Sequence, residues 1–205
     1  MDVFTLMASN MEESVLPAQH IMRNITLLTF MIPVGIMSST QIMVGNNIGA
    51  NKIPVAKAYA KTGVKTACIW ALSTVLLLII IRKPFVGVFS EDDSVKAIIW
   101  TAFPLMLVYV FVDCVQCVGQ GIIRGLGKQG KASIGTVTGY WLIGIPVSLL
   151  AVFQLDWGIL GLWLGPTLAI SFNFCFYFAL VTRSNWEQIA EEARLRRSKE
   201  TTAAA

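Results

Sequence analysis

Charge is what this sequence has least of. Only 14% of its 205 residues are Asp, Glu, Lys or Arg, against about 25% in an ordinary soluble domain. So few charges cannot coat a water-soluble globule. The 55% hydrophobic share and the mean hydropathy of +0.66 exclude disorder, collagen, coiled coil and solenoid. Histidine is nearly missing, with His20 alone, which argues against a zinc site. The opening Met1-Asp2-Val3-Phe4 lacks the basic stretch of a secretory signal, and Glu12-Glu13 interrupts any long apolar run behind it. Lys and Arg number 16 against 12 Asp and Glu, a net charge of +4. That excess is too small for a nucleic-acid surface and matters by position instead. These absences point to an all-α, polytopic helical membrane protein.

The four cysteines do not form a disulfide framework. Cys68, Cys114, Cys117 and Cys175 all fall in or beside apolar runs. Cys114 and Cys117 have the CxxC spacing of redox or metal sites, but no second Cys/His pair accompanies them. Two small helix-packing residues are the expected reading.

A membrane helix needs about 20 mainly apolar residues, because the hydrocarbon core is about 30 Å thick and each residue rises 1.5 Å. Five segments qualify: 24–51, 66–81 (extended by a helical 54–65), 97–123 with Asp113 inside it, 132–155 and 157–182. A sixth, 2–11, reaches only about 15 Å, with Glu12-Glu13 and a Pro17 break beyond it. Lys52, Lys57, Lys61 and Lys65 follow the first full span; Arg124, Lys128 and Lys131 follow the third; Arg183, Arg194, Arg196, Arg197 and Lys199 follow the last. The other loops carry Glu12-Glu13, then Arg82-Lys83 balanced by Glu91-Asp92-Asp93, then Asp156. The positive-inside rule places the basic clusters in the cytoplasm. The first segment must then run outward, so Met1 would begin about half a bilayer deep, where a free amino group is expensive. The expectation is a chain that is the back part of a longer protein. The alternative is a re-entrant or interfacial 2–11 segment.

Residues 1–183 therefore read as a membrane lobe and 184–205 as a basic cytoplasmic tail. In the tail, Trp186, Ile189, Ala190 and Ala193 fall at helical spacing ahead of the arginines. That suits an amphipathic helix on the membrane surface, or equally a solvated helix. Residues 201–205 are expected to be disordered.

Polar residues inside the spans carry the functional signal. Asp113 lies deep in the third full span, and intramembrane carboxylates are functional by default. Tyr109, Gln116 and Gln120 share its helix face, amid Leu107, Val108, Val110, Val112, Val115 and Val118. Such a polar stripe faces a bundle interior or an aqueous cavity. Asp2 has a weaker stripe, with Thr5 and Ser9. Ser38, Ser39, Thr40, Gln41, Ser133, Thr136, Thr138 and Tyr140 suggest further polar wall. The pairs Gly45/Gly49, Gly121/Gly125, Gly135/Gly139 and Gly161/Gly165 have the small-xxx-small spacing of close helix contacts. Pro33, Pro104 and Pro146 are positioned to kink helices.

Val44-Gly45-Asn46-Asn47-Ile48-Gly49-Ala50 resembles the V-G-N-x-L/I-G-A motif of the multidrug and toxic compound extrusion (MATE) transporters. Residues 120–129, from Gln120 through Arg124-Gly125-Leu126-Gly127 to Gln129, resemble their G-V/I-x-R-G-x-G-x-Q motif. Gly139-Tyr140-Trp141-Leu142-Ile143-Gly144-Ile145-Pro146 is similar to G-Y-Y-x-x-G-I/L-P, and residues 158–165 to G-x-x-G-L/I-W-x-G. The four motifs stand in the family's order over nearly the whole chain to Trp186, with eukaryotic detail.

The resemblance implies the C-terminal lobe of a two-lobe antiporter, from the middle of the seventh helix to the end of the twelfth. Asp113 falls on the family's proton-coupling position in the tenth helix and Asp2 on that in the seventh, where Glu is frequent. Some animal members carry an additional acid where this chain has Asn24. The implied activity is export of organic cations or other xenobiotics and metabolites in exchange for protons, with sodium left open as the coupling ion. No enzyme activity and no cofactor is expected. The site residues are Asp113, Asp2, Tyr109, Gln116, Gln120 and Tyr140, with Tyr140 and Trp141 able either to line the cavity or to pack. The expected partners are membrane lipid, a small-molecule substrate, and the missing N-terminal lobe or a second copy of the chain. A lobe that does not transport, or that regulates a partner, is the rival.

Overall fold

The computed structural model describes residues 3–89 and 91–204. Among them there is no strand. A short helix α1 (Val3–Ala8) precedes α2 (Val15–Gly49), α3 (Ile53–Phe89) and α4 (Asp93–Gly125). Then come α5 (Gln129–Val137), a π-helical turn (Thr138–Gly144) and α6 (Ile145–Phe153), which together make one span. They are followed by α7 (Gly158–Arg183) and α8 (Trp186–Ala204). Five spans are long and apolar enough to cross a bilayer. This is the architecture expected where no water satisfies backbone groups: in lipid each segment must close its own hydrogen bonds.

Two spans start earlier than the charge-free runs suggest. Helix α2 begins at Val15, so Pro17 does not break the chain. It sits in the first helical turn, where its missing N–H would have no partner in any case. Helix α3 is continuous from Ile53. Its Ala56, Ala60, Ala67 and Ala71 are buried on one face, and Gly63 lies directly against the Thr40 hydroxyl of α2. Lys57, Lys61 and Lys65 are exposed on the other face. At the head of α4 the Asp92 Oδ1 accepts from the Ser94 backbone N–H at 2.8 Å, a regular N-cap.

Helix α4 occupies the centre of the bundle, packed on α2, α3 and α7. Its contact with α2 depends on glycine. A Cβ on Gly121 would stand 2.7 Å from the Met37 carbonyl oxygen, and one on Gly125 2.8 Å from that of Gln41. Gly45 of the first motif faces Gly125 of the second, so the two motifs are the two halves of one contact. Cys117 belongs to the same seam. Cys114 and Cys117 are buried, and the Cys117 Sγ lies 3.5 Å from the Met37 Sδ.

Proline positions are handled locally. Pro166 in α7 cannot donate to the carbonyl of Leu162, and the Ser148 hydroxyl of α6 donates to that oxygen instead, at 3.1 Å. The π-helical turn stands just before Pro146, where the donor to the carbonyl four residues back is missing.

The basic loops share one end of the molecule. The Lys128 Nζ donates to the Ser184 Oγ at 3.0 Å, and Trp186 and Ala190 of α8 pack with Val44, Ile48, Ala56 and Leu126. Part of the apolar face of α8 thus packs against the ends of α2 and α3. The backbone stays helical through Ala204, where disorder was expected from 201 onward.

Because Gly121 meets backbone, which cannot step aside, Gly121→Val should destabilise the chain by about 1–3 kcal/mol. Gly130 has nothing within 4 Å of an added Cβ, so Gly130→Ala should leave stability near the wild type. Thermal unfolding of the detergent-solubilised chain, read by circular dichroism, compares the two.

Candidate functional site

The polar stripe on α4 opens onto a cavity of about 400 Å³ in the bundle. Tyr109, Asp113, Gln116 and Gln120 all line it, as their spacing predicts, and Tyr140 closes it from the π-helical turn. Gln116 Nε2 donates to Asp113 Oδ1 at 2.9 Å, one helical turn apart, so the carboxyl is held by its own helix. The Tyr109 ring meets Trp163 edge to face at 5.5 Å. Gln120 Nε2 lies 3.4 Å from the Thr136 Oγ1. That hydroxyl sits 2.8 Å from Tyr177 Oη, which donates to the Ala132 carbonyl at 3.0 Å.

Asp2 lies outside the described residues. Its stripe partner Thr5 is buried and accepts from the Arg23 guanidinium at 3.4 Å, while Ser9 Oγ turns back to the Leu6 carbonyl at 2.8 Å. Of the expected polar wall, Thr136 and Tyr140 line the cavity. Ser38, Ser39, Thr40 and Gln41 do not. Trp141 is 63% exposed on the outer surface, so Tyr140 alone of that pair faces inward.

Other residues on the same walls went unnoticed in the sequence. Gln19, Arg23, Thr26 and Phe30 form one face of α2 that lines the cavity. Their spacing is helical, but the face is visible only once α2 is started at Val15. Gln19 Oε1 accepts from the Trp163 indole N–H at 2.8 Å. Asn173, in the middle of the last apolar span, is 1% exposed and borders the cavity. A lone Asn amid Phe and Ile was the available signal.

The cavity walls combine a carboxyl, a guanidinium, amides and aromatic rings inside five membrane-spanning helices. That defines a polytopic helical integral membrane protein with a polar interior site. The MatE family model matches residues 2–150, more than half of the chain, and the chain belongs to that family. The resemblance carried by the four motifs is therefore correct.

Over 201 residues the chain is 26% identical to multidrug and toxin extrusion protein 2 of the mouse, covering 98% of this chain and 35% of the relative. It is 31% identical over 180 residues to the human protein of that name, covering 87% and 30%. The crystal structure of a eukaryotic MATE transporter, AtDTX14, superposes with a TM-score of 0.84 at 23% identity, over 88% of this chain and 40% of that one. This last likeness establishes the fold. The chain spans about a third of the length of the curated relatives it matches.

The CxxC pair has a direct test. Cys114 and Cys117 are buried, whereas Cys175 is exposed. A lipid-soluble maleimide should label Cys175 in the folded chain and spare Cys114 and Cys117 until the chain is denatured. Mass spectrometry of the labelled peptides reads the result. Rapid labelling of Cys114 or Cys117 in the folded chain would speak for a reactive pair.

Proposed function

We propose that this chain is the C-terminal lobe of a proton-coupled antiporter that exports organic cations or related xenobiotics and metabolites. The observation that carries the reading is Asp113 on the wall of a polar cavity, with its carboxyl bound to Gln116. A carboxyl at membrane depth is costly when charged and persists where it does work. It changes charge state as its access to water changes, which lets alternating access link proton uptake to release of a bound cation. Tyr109, Trp163 and Phe30 supply aromatic faces of the kind that attract organic cations. The working unit pairs this lobe with a second helical lobe, in a longer polypeptide or a second copy of the chain. The relatives' names, multidrug and toxin extrusion proteins, support the same class of cargo.

Two variants of Asp113 test the reading, made in the protein as it works in cells and compared at matched membrane expression. Asp113→Asn keeps volume and some hydrogen bonding but cannot carry a proton, so export driven by a pH gradient should vanish while insertion is unaffected. Asp113→Glu keeps the acid one methylene further out and should retain partial activity with an altered pH profile. Tyr109→Phe should cause a smaller defect, on the order of 0.5–1.5 kcal/mol for one hydrogen-bonding group. Wild-type transport and pH dependence in Asp113→Asn would remove Asp113 from the coupling role.

Orientation is checked separately. With the basic loops cytoplasmic, single cysteines replacing Lys57 and Lys128 should react with an impermeant reagent only from the cytoplasmic side. Those replacing Asp92 and Asp156 should react only from the other side. Labelling of positions 57 and 92 from one side would reverse or dismantle the topology.

A further inference from the structure

Helix α3 is longer than a membrane needs. Its 37 residues reach about 55 Å, against a hydrocarbon core about 30 Å thick. Lys65 stands immediately before the charge-free run 66–81. Residues 53–65 therefore project beyond the core, through the depth where lipid headgroups lie. Helix α3 supplies no residue to the cavity walls, so this projection plays no part in the site described above. Its packing is one-sided. Ala56, Ala60, Ala67 and Ala71 are buried, while Lys57, Lys61 and Lys65 are exposed on a second face.

Left to itself, the lysine face is unfavourable. The lysines are four residues apart, so each repels the next one turn away. Lys52 precedes the helix and its first turn holds no acid, so nothing offsets the positive end of the helix dipole. Between Glu13 and Glu91 the sequence has no Asp or Glu. Among the described residues no ion pair joins Lys57, Lys61 or Lys65 to an acid. Of the acids on the neighbouring α8, Glu191 is taken by Arg194 at 2.9 Å and Glu192 by Gln188 at 3.0 Å. The charge is thus complementary to an anion from outside the chain. Beyond Lys65 the same side of the helix continues as Ile69, Leu72, Leu76 and Ile80, each more than half exposed. An occupant that meets both halves has a negative head and apolar chains.

We propose that this face of α3 is a binding site for an anionic phospholipid of the leaflet at the basic end. Its phosphate lies between Lys61 and Lys65, and its acyl chains run along Ile69, Leu72, Leu76 and Ile80. Lys61 and Lys65 are one turn apart, about 6 Å along the axis, so both ammonium groups reach one phosphate. Lys57 stands a further turn out and adds to the field there. A zwitterionic lipid gains less, because its own cation faces the same lysines. Binding here does not depend on what the cavity carries.

Phosphatidylserine and phosphatidylcholine with identical acyl chains make the decisive pair. Native mass spectrometry of the purified chain, titrated with each lipid in detergent, reads the first bound molecule. The wild-type chain should hold phosphatidylserine about twentyfold more tightly, since each lysine at an anionic surface contributes about fivefold. Lys61→Gln combined with Lys65→Gln should bring the two lipids within about threefold of each other. Lys52→Gln combined with Lys131→Gln removes the same charge from the same end of the molecule and should keep the wild-type preference. Both pairs of substitutions alter exposed side chains, and circular dichroism confirms that each variant folds. Equal binding of the two lipids by the wild type overturns the site. So does an equal loss of preference in the two double variants, which would mean a diffuse surface charge. Glycerophosphoserine, the headgroup without chains, should not displace the lipid; displacement would make this a site for soluble anions. Capture of polyglutamate in preference to phosphatidylserine, lost with Lys61→Gln and Lys65→Gln, would hand the face to an acidic protein segment instead.

Discussion

The near-contact of backbone on backbone between α2 and α4 is the constraint on which the bundle depends. In lipid there is little hydrophobic force between helices, so association comes from close packing and polar bonds. Gly121 and Gly125 let α4 approach the Met37 and Gln41 carbonyls, and that approach puts α4 at the centre, in reach of α2, α3 and α7. Every polar residue on the α4 stripe inherits its placement from this. A side chain at either glycine would push α4 outward and separate Asp113 from the walls contributed by α2 and α7.

The same economy of space explains how proline and polar side chains survive in the apolar interior. The hydroxyl of Ser148 takes the carbonyl that Pro166 leaves without a donor, and it can do so because Gly144 and Gly165 bring α6 and α7 together there. Gln19 takes the indole N–H of Trp163 and so ties the start of α2 to α7. Gln19 and Trp163 both line the cavity, so this second bond lies in its wall. Asn173, by contrast, has its amide oxygen enclosed against Gly139, with no hydrogen-bond partner among the described residues.

Much of this was legible in the sequence, for identifiable reasons. The spans follow from hydropathy and the α4 stripe from a 3.6-residue period, because both are local properties of one helix. The motif glycines were readable as close contacts, but not which helix each would meet, since that pairing is a tertiary fact. Arg23 and Gln19 were missed because a charge-free run was taken to begin at residue 24, whereas α2 begins at Val15 and carries its arginine into a polar interior. The tail was readable as amphipathic, yet its apolar face fits protein as well as lipid. Trp186 and Ala190 take the protein side, in one cluster with Val44 and Ala56. The side of the helix to which Tyr140 and Trp141 point was likewise undecidable, because a π-helical turn shifts the angular register that an α-helical period would assign.

An acid that must alternate between two charge states also limits what can stand beside it. A guanidinium bound directly to the carboxyl would hold it ionised, since separating a buried ion pair is strongly unfavourable. An apolar neighbour would leave the ionised form with no partner at all. The partner found at 2.9 Å from Asp113 is instead the amide of Gln116. Its N–H donates to a carboxylate, and its carbonyl accepts from a carboxylic acid after a rotation of the side chain. One residue therefore serves both states without favouring either by its own charge. In the proposed exchange a proton and a cationic substrate contend for the same carboxyl, and reciprocity requires each to weaken the other's binding by an equal factor. A neutral, two-faced partner leaves that contest to the two ligands, which is what coupling needs.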